Sequence, residues 1–92
     1  MMFVNVSLRA LVEQLHAEVK LRSSVPKVAA AIGMNYYSLR DNLLGNSDIR
    51  LSTMLAVLDA LGMTLEDLVA GARVREREEA RRASRSRRSA AM

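Results

Sequence analysis

The side chains best equipped for chemistry lie in one stretch, Asn35-Tyr36-Tyr37-Ser38-Leu39-Arg40-Asp41. It holds an amide, two phenols, a hydroxyl, a guanidinium and a carboxylate. These groups donate and accept hydrogen bonds; none is a nucleophile with an evident base beside it. At helical spacing Tyr36, Leu39 and Leu43 share one side and can pack inward. Tyr37, Arg40, Asp41 and Leu44 share another side and can project outward. A helix is about 10–12 Å across and fits the major groove of duplex DNA, about 12 Å wide. Such a helix can rest on a protein body while offering side chains to base edges. Its N-terminus also turns N–H groups and partial positive charge towards phosphates. Recognition is the expected chemistry, not bond-making.

The remaining inventory points the same way. There is no cysteine, which excludes a disulfide framework and a thiolate metal site. His16 is the only histidine, which argues against zinc, and it reads as a surface helix residue. No glycine-rich phosphate loop and no paired carboxylates stand out, so no enzyme activity is expected. Met34, Met54 and Met63 read as core fillers. No cofactor and no small-molecule ligand is expected. No apolar run approaches a membrane span, and no basic region precedes an apolar stretch at the N-terminus. A cytoplasmic setting is expected.

Helices must position the Asn35–Asp41 groups. The chain has 92 residues, 50% of them apolar, enough for one aliphatic core. Ala, Leu, Met, Arg and Glu favour helix, and strand-type alternation is nearly absent. Ser7 can cap a first helix whose stripe is Leu8, Leu11, Val12, Leu15 and Val19, ending near Arg22. Ser24 caps a second, with Pro26 in its first turn, Val28, Ala29 and Ile32 buried, and Gly33 closing it. Asn35 caps a third, Tyr36 to Leu44, closed by Gly45. Asp48 is the candidate cap of a fourth, about Arg50 to Leu61, burying Leu51, Met54, Leu55, Leu58 and Leu61. Gly62 closes it. Thr64 and Asp67 form a capping box for a fifth, with Leu65, Leu68 and Val69 apolar. Every glycine, Gly71 included, falls at an expected helix end. The fold class is therefore all-α: five short helices and no sheet. The turn between the second and third helices is short enough to force a steep crossing, which needs a small residue, and Ala29 supplies it.

Charge divides the chain. Residues 1–71 hold six Lys or Arg and seven Asp or Glu, a net of −1. Residues 72–92 hold eight Arg and three Glu, a net of +5. Two segments are expected: a helical domain over 1–71 and an Arg-rich extension over 72–92. Arg75 to Arg82 can prolong the fifth helix, and Ser84 to Ser89 is expected to be disordered. A basic extension suits a polyanion.

The run Val28-Ala29-Ala30-Ala31-Ile32-Gly33-Met34-Asn35-Tyr36-Tyr37-Ser38-Leu39-Arg40 resembles the helix-turn-helix of the lambda-repressor and Cro-like family. The likeness continues in Gly45 and in Leu61-Gly62-Met63-Thr64-Leu65-Glu66-Asp67-Leu68, and covers about residues 8–70. It implies a compact five-helix, lambda-repressor-like fold of the phage Cro or compact-repressor type, in a bacterial or phage-infected cell. It places Asn35, Tyr36, Tyr37 and Asp41 in the groove, with Ser38 and Arg40 close by. Ser24, Lys27, Asn46 and Ser47 would then touch phosphates. The implied function is a sequence-specific, DNA-binding transcriptional regulator. It would act as a homodimer on a pseudo-palindromic site, pairing through Leu65, Val69 and Val74 or through the N-terminal segment. An antitoxin or adaptor that binds protein with the same fold is the alternative.

Overall fold

A computed structural model describes residues 7–91, with side chains described for residues 7–84. Five helices follow in order: α1 (Leu8–Arg22), α2 (Val25–Ile32), α3 (Tyr36–Leu44), α4 (Leu51–Leu61) and α5 (Leu65–Ala91). No strand occurs among the described residues. The all-α expectation holds. The apolar lead-in, residues 1–6, lies outside the described residues.

Most helix ends form as their residues dictate. The Ser7 hydroxyl accepts the Ala10 N–H at 3.1 Å, and the Ser24 hydroxyl accepts the Lys27 N–H at 3.3 Å. Pro26 occupies the first turn of α2, where its missing N–H costs nothing. Gly33 and Gly45 take φ of 70° and 81°, the left-handed conformation that side-chain-bearing residues resist. The Met34 N–H then reaches back to the Ala29 carbonyl at 2.9 Å, and the Asn46 N–H to the Asp41 carbonyl at 2.9 Å. These bonds satisfy helix-end carbonyls and fix where the chain turns on either side of α3. Asp48 does not cap α4. Arg50 stands at that position and makes no side-chain cap bond.

The core is aliphatic. Leu15 and Val19 of α1, Leu39 and Leu43 of α3, Val57 and Leu58 of α4, and Leu68 of α5 are enclosed. Removing such side chains from water is the main favourable term in folding. Ala29 is buried within this cluster, at the site expected to need a small residue. The phase of α4 differs from expectation. Val57 is fully buried, whereas Leu51 and Leu55 are 64% and 45% exposed. Apolar residues cover more than half of that helix's circumference, so periodicity alone does not select the inward face.

Gly71 corrects the expected end of the fifth helix. It sits inside α5, which runs on to Ala91. A Cβ at Gly71 would lie 2.8 Å from Nε2 of Gln14, so the glycine serves a close approach between α5 and α1. Around it Ala72 is fully buried, and Nε of Arg75 donates to Oε1 of Gln14 at 3.0 Å. Further along, Glu76 accepts the Ser7 N–H and hydroxyl at 3.1 and 3.0 Å. Rising numbers on α5 thus meet falling numbers on α1, and the two helices are antiparallel. The stretch from Ser84 to Ser89, expected to be disordered, has helical backbone. A helix already nucleated on α1 extends readily through Arg and Ala.

The capping box of α5 forms reciprocally. The Thr64 N–H donates to the Asp67 carboxylate and the Asp67 N–H to the Thr64 hydroxyl, each at 3.1 Å. The Thr64 N–H first, and its hydroxyl second, hold the Asp67 carboxyl below its ordinary 3.8. A carboxylate whose pKa drops on folding adds stability above its unfolded pKa and loses it as pH falls through the folded value. The gap in urea midpoint between wild type and Asp67→Asn should therefore be constant well above pH 3.8 and shrink below it. A pH-independent gap would remove the carboxylate from the cap.

No helix of the described residues is long and apolar enough to cross a membrane.

Candidate nucleic-acid interface

The site is α3 and what holds it. Leu39 and Leu43 insert into the core and fix the helix by one face. Asn35 fixes its start: Oδ1 accepts the Tyr37 N–H at 2.9 Å and the Ser38 N–H at 3.3 Å. The opposite face is open. Tyr37 is 68% exposed, and Asn35, Ser38, Arg40 and Asp41 are exposed as well. The rings of Tyr36 and Tyr37 meet edge to face with centroids 5.2 Å apart. Tyr36, placed on the inward stripe by spacing, sits at the boundary and is exposed, because as the first helical residue it has no preceding turn to cover it. It is available to a partner together with Tyr37.

The flanking residues are placed less uniformly. Lys27 is exposed on the first turn of α2, and Ser24 is half-buried with its hydroxyl engaged in the cap. Neither makes a hydrogen bond to α3 among the described residues. Asn46 and Ser47 are exposed directly after α3, and Asn46 is tied to Asp41 through the backbone. The Ser47 hydroxyl donates to Oδ1 of Asn42 at 2.9 Å.

Asn42 is the residue that sequence reasoning missed. It is the one buried polar side chain among the described residues, 8% exposed, between Leu39 and Leu43 on the inward face. An amide there must find a partner or destabilise the fold, and Ser47 provides it. The bond ties the loop after α3 to α3 itself. Its sequence signal was a polar residue inside an apolar stripe.

The start of α3 also differs electrostatically from expectation. The Asn35 side chain already takes the Tyr37 and Ser38 N–H groups. Of the four donors at the helix start, the Asn35 and Tyr36 N–H groups are left for an outside acceptor. Charge on the face comes from Arg40, Lys27 and Asp41, none of which is ion-paired among the described residues. The face presents phenol, guanidinium, ammonium and carboxylate groups on a convex helix, with no enclosed cleft. His16 is half-buried rather than a plain surface residue. Burial first, and the Lys20 ammonium second, hold its imidazole below the usual 6.5.

The cap is testable by itself. Asn35→Ala should lower stability by about 0.5–2 kcal/mol, the usual cost of losing an N-cap acceptor. Urea unfolding followed by circular dichroism measures it; no loss would show that the two bonds to Tyr37 and Ser38 do not matter in solution.

No family model matches the chain, and neither a curated protein nor a solved structure matches it significantly.

Proposed function

We propose that the chain is a sequence-specific DNA-binding regulator of the lambda-repressor-like type, with α2 and α3 as its helix-turn-helix. The observation that carries this reading is the division of α3. Leu39 and Leu43 are enclosed while Tyr37, Ser38, Arg40 and Asp41 face solvent together, just after a turn set by Gly33 and Asn35. Such a helix is held by its back and offers its front. In the major groove Arg40 can pair with guanine or a phosphate, and Asp41 can accept from cytosine N4. Tyr37 supplies a ring for thymine methyl contact and a hydroxyl for the backbone. Lys27, Ser24, Asn46 and Ser47 belong to the phosphate contacts that set register.

One short helix gives limited affinity, so the working unit is a homodimer on two half-sites. Of the expected pairing residues, Leu65 and Val74 are exposed, but Val69 is half-buried. Val74 lies about 140° around the helix from Val69, so the three do not form one patch. Leu51 and Leu55, exposed one turn apart on α4, join Leu65 as apolar side chains available for pairing.

Selection of bound sequences from random duplex DNA tests the reading. The expected result is an enriched motif with two half-sites about 34–36 Å apart, one helical turn. Absence of any retardation at low salt, with a second protein co-purifying, would replace it with a protein-binding module.

A further inference from the structure

The antiparallel docking of α5 on α1 assigns faces to the Arg-rich segment. Leu68, Gly71, Ala72 and Arg75 turn towards α1: Leu68 and Ala72 are fully buried, Gly71 abuts Gln14, and Arg75 bonds it. At about 100° per residue, Arg73, Arg77 and Arg81 fall within an arc of about 80° on the opposite side. All three are exposed and in no ion pair among the described residues. From Arg73 to Arg81 the stripe is about 12 Å long at 1.5 Å per residue. Glu76, Glu78 and Glu79 lie outside this arc, and Glu76 is engaged by Ser7.

The stripe also faces away from α3. On α1, Gln14 meets α5, whereas Val12 borders the hollow it shares with Asn42, Leu43 and Leu44 at the end of α3. Those two α1 positions are about 160° apart around the helix. The end of α3, Leu43 and Leu44, also shares a hollow with Arg75 on the α1-facing side of α5, so the stripe on the other side of α5 points away from it. A row of guanidinium groups flanked by one exposed valine, Val74, suits a regular polyanion better than insertion into a lipid interface.

We propose that the solvent face of α5 is a second, sequence-independent binding surface for the phosphate backbone of duplex DNA. It grips a duplex other than the one met by α3. The second clause rests on the DNA-binding reading of α3; the first stands without it.

The test uses the full chain, a random-sequence duplex and a salt series. Each phosphate-contacting arginine contributes about 0.9 to the slope of log affinity against log salt. The triple variant Arg73→Gln, Arg77→Gln, Arg81→Gln should lower that slope by about 2–3. Glutamine keeps helix propensity, and circular dichroism verifies the fold. The double variant Arg75→Gln, Arg82→Gln removes charge from the α1-facing side and should change the slope far less per residue. An unchanged slope in the triple variant, or an equal fall per residue in both variants, overturns the stripe. A capture assay then asks whether protein on an immobilised duplex retains a second, labelled one. Wild type should retain it, and the triple variant should lose at least tenfold while keeping any motif preference of α3. Retention equal to wild type in the triple variant, or none in wild type, overturns the second-duplex clause. Tyr37→Ala with Arg40→Ala should abolish motif preference and leave the salt slope within about one of wild type. A larger fall in that variant would assign the backbone contacts to α3 and overturn the separate surface.

Discussion

Leu39→Ala should destabilise the protein by about 2–5 kcal/mol, the largest single effect expected of any residue in α3. Leu39 has no exposed surface and lies among Leu43, Val28 and the α1 and α4 side chains of the core cluster. Truncation removes its buried methyl groups and leaves a cavity that helices anchored on several sides cannot close. Domains of this size are stable by only about 5–15 kcal/mol, so a large part of the folded population is at stake. Urea unfolding by circular dichroism gives the number. DNA affinity should fall in the variant only as far as its folded fraction falls, because Leu39 meets no ligand. A cost under about 1 kcal/mol would show that α3 is not held by this side chain.

Tyr37→Ala should have the converse signature. The side chain is 68% exposed, so its loss should leave the unfolding midpoint nearly unchanged. Binding to the selected motif should weaken by about 1–3 kcal/mol if the ring reads a base. At about 1.4 kcal/mol per factor of ten, this is about 5- to 150-fold in affinity. Binding to random duplex should hardly move. Titrations of both duplexes at one salt concentration separate the cases. Equal losses on the two would make Tyr37 a backbone contact; no loss on either would remove it from the interface. The two variants together divide α3 into a face that holds and a face that contacts.

Much of the fold was legible because turns and stripes carry local signals. Ser7, Ser24 and Asn35 each have a short acceptor that suits an N-cap, and each one caps. Gly33, Gly45 and Gly62 end helices in the left-handed conformation that glycine permits. Gly71 did not fit this rule because its reason is tertiary. Only the presence of Gln14 opposite explains it, and no local pattern reports a neighbour 57 positions away. The phase of α4 failed for a related reason. Leu51, Met54, Leu55, Val57, Leu58 and Leu61 wrap too much of the helix, and contact with the other helices decides which go inward. At the interface, the exposed set Tyr37, Arg40, Asp41 and Leu44 was legible from helical spacing, whereas Asn35 and Ser38 entered only through the resemblance. The Asn42–Ser47 bond was not, because it joins a helix to the following loop through side chains alone. The use of two α3 N–H groups by Asn35 was not legible either, because a cap acceptor and an outside phosphate suit the same donors.

The most direct measurement follows backbone amide shifts of the labelled full chain during titration with one duplex carrying the selected motif. The result expected is a set of large changes centred on Tyr36 to Asp41, with Lys27, Asn46 and Ser47 at its edges and the core positions Leu15, Val57 and Leu58 quiet. Saturable binding in which α3 stays unmoved would contradict the placement of this helix in the groove.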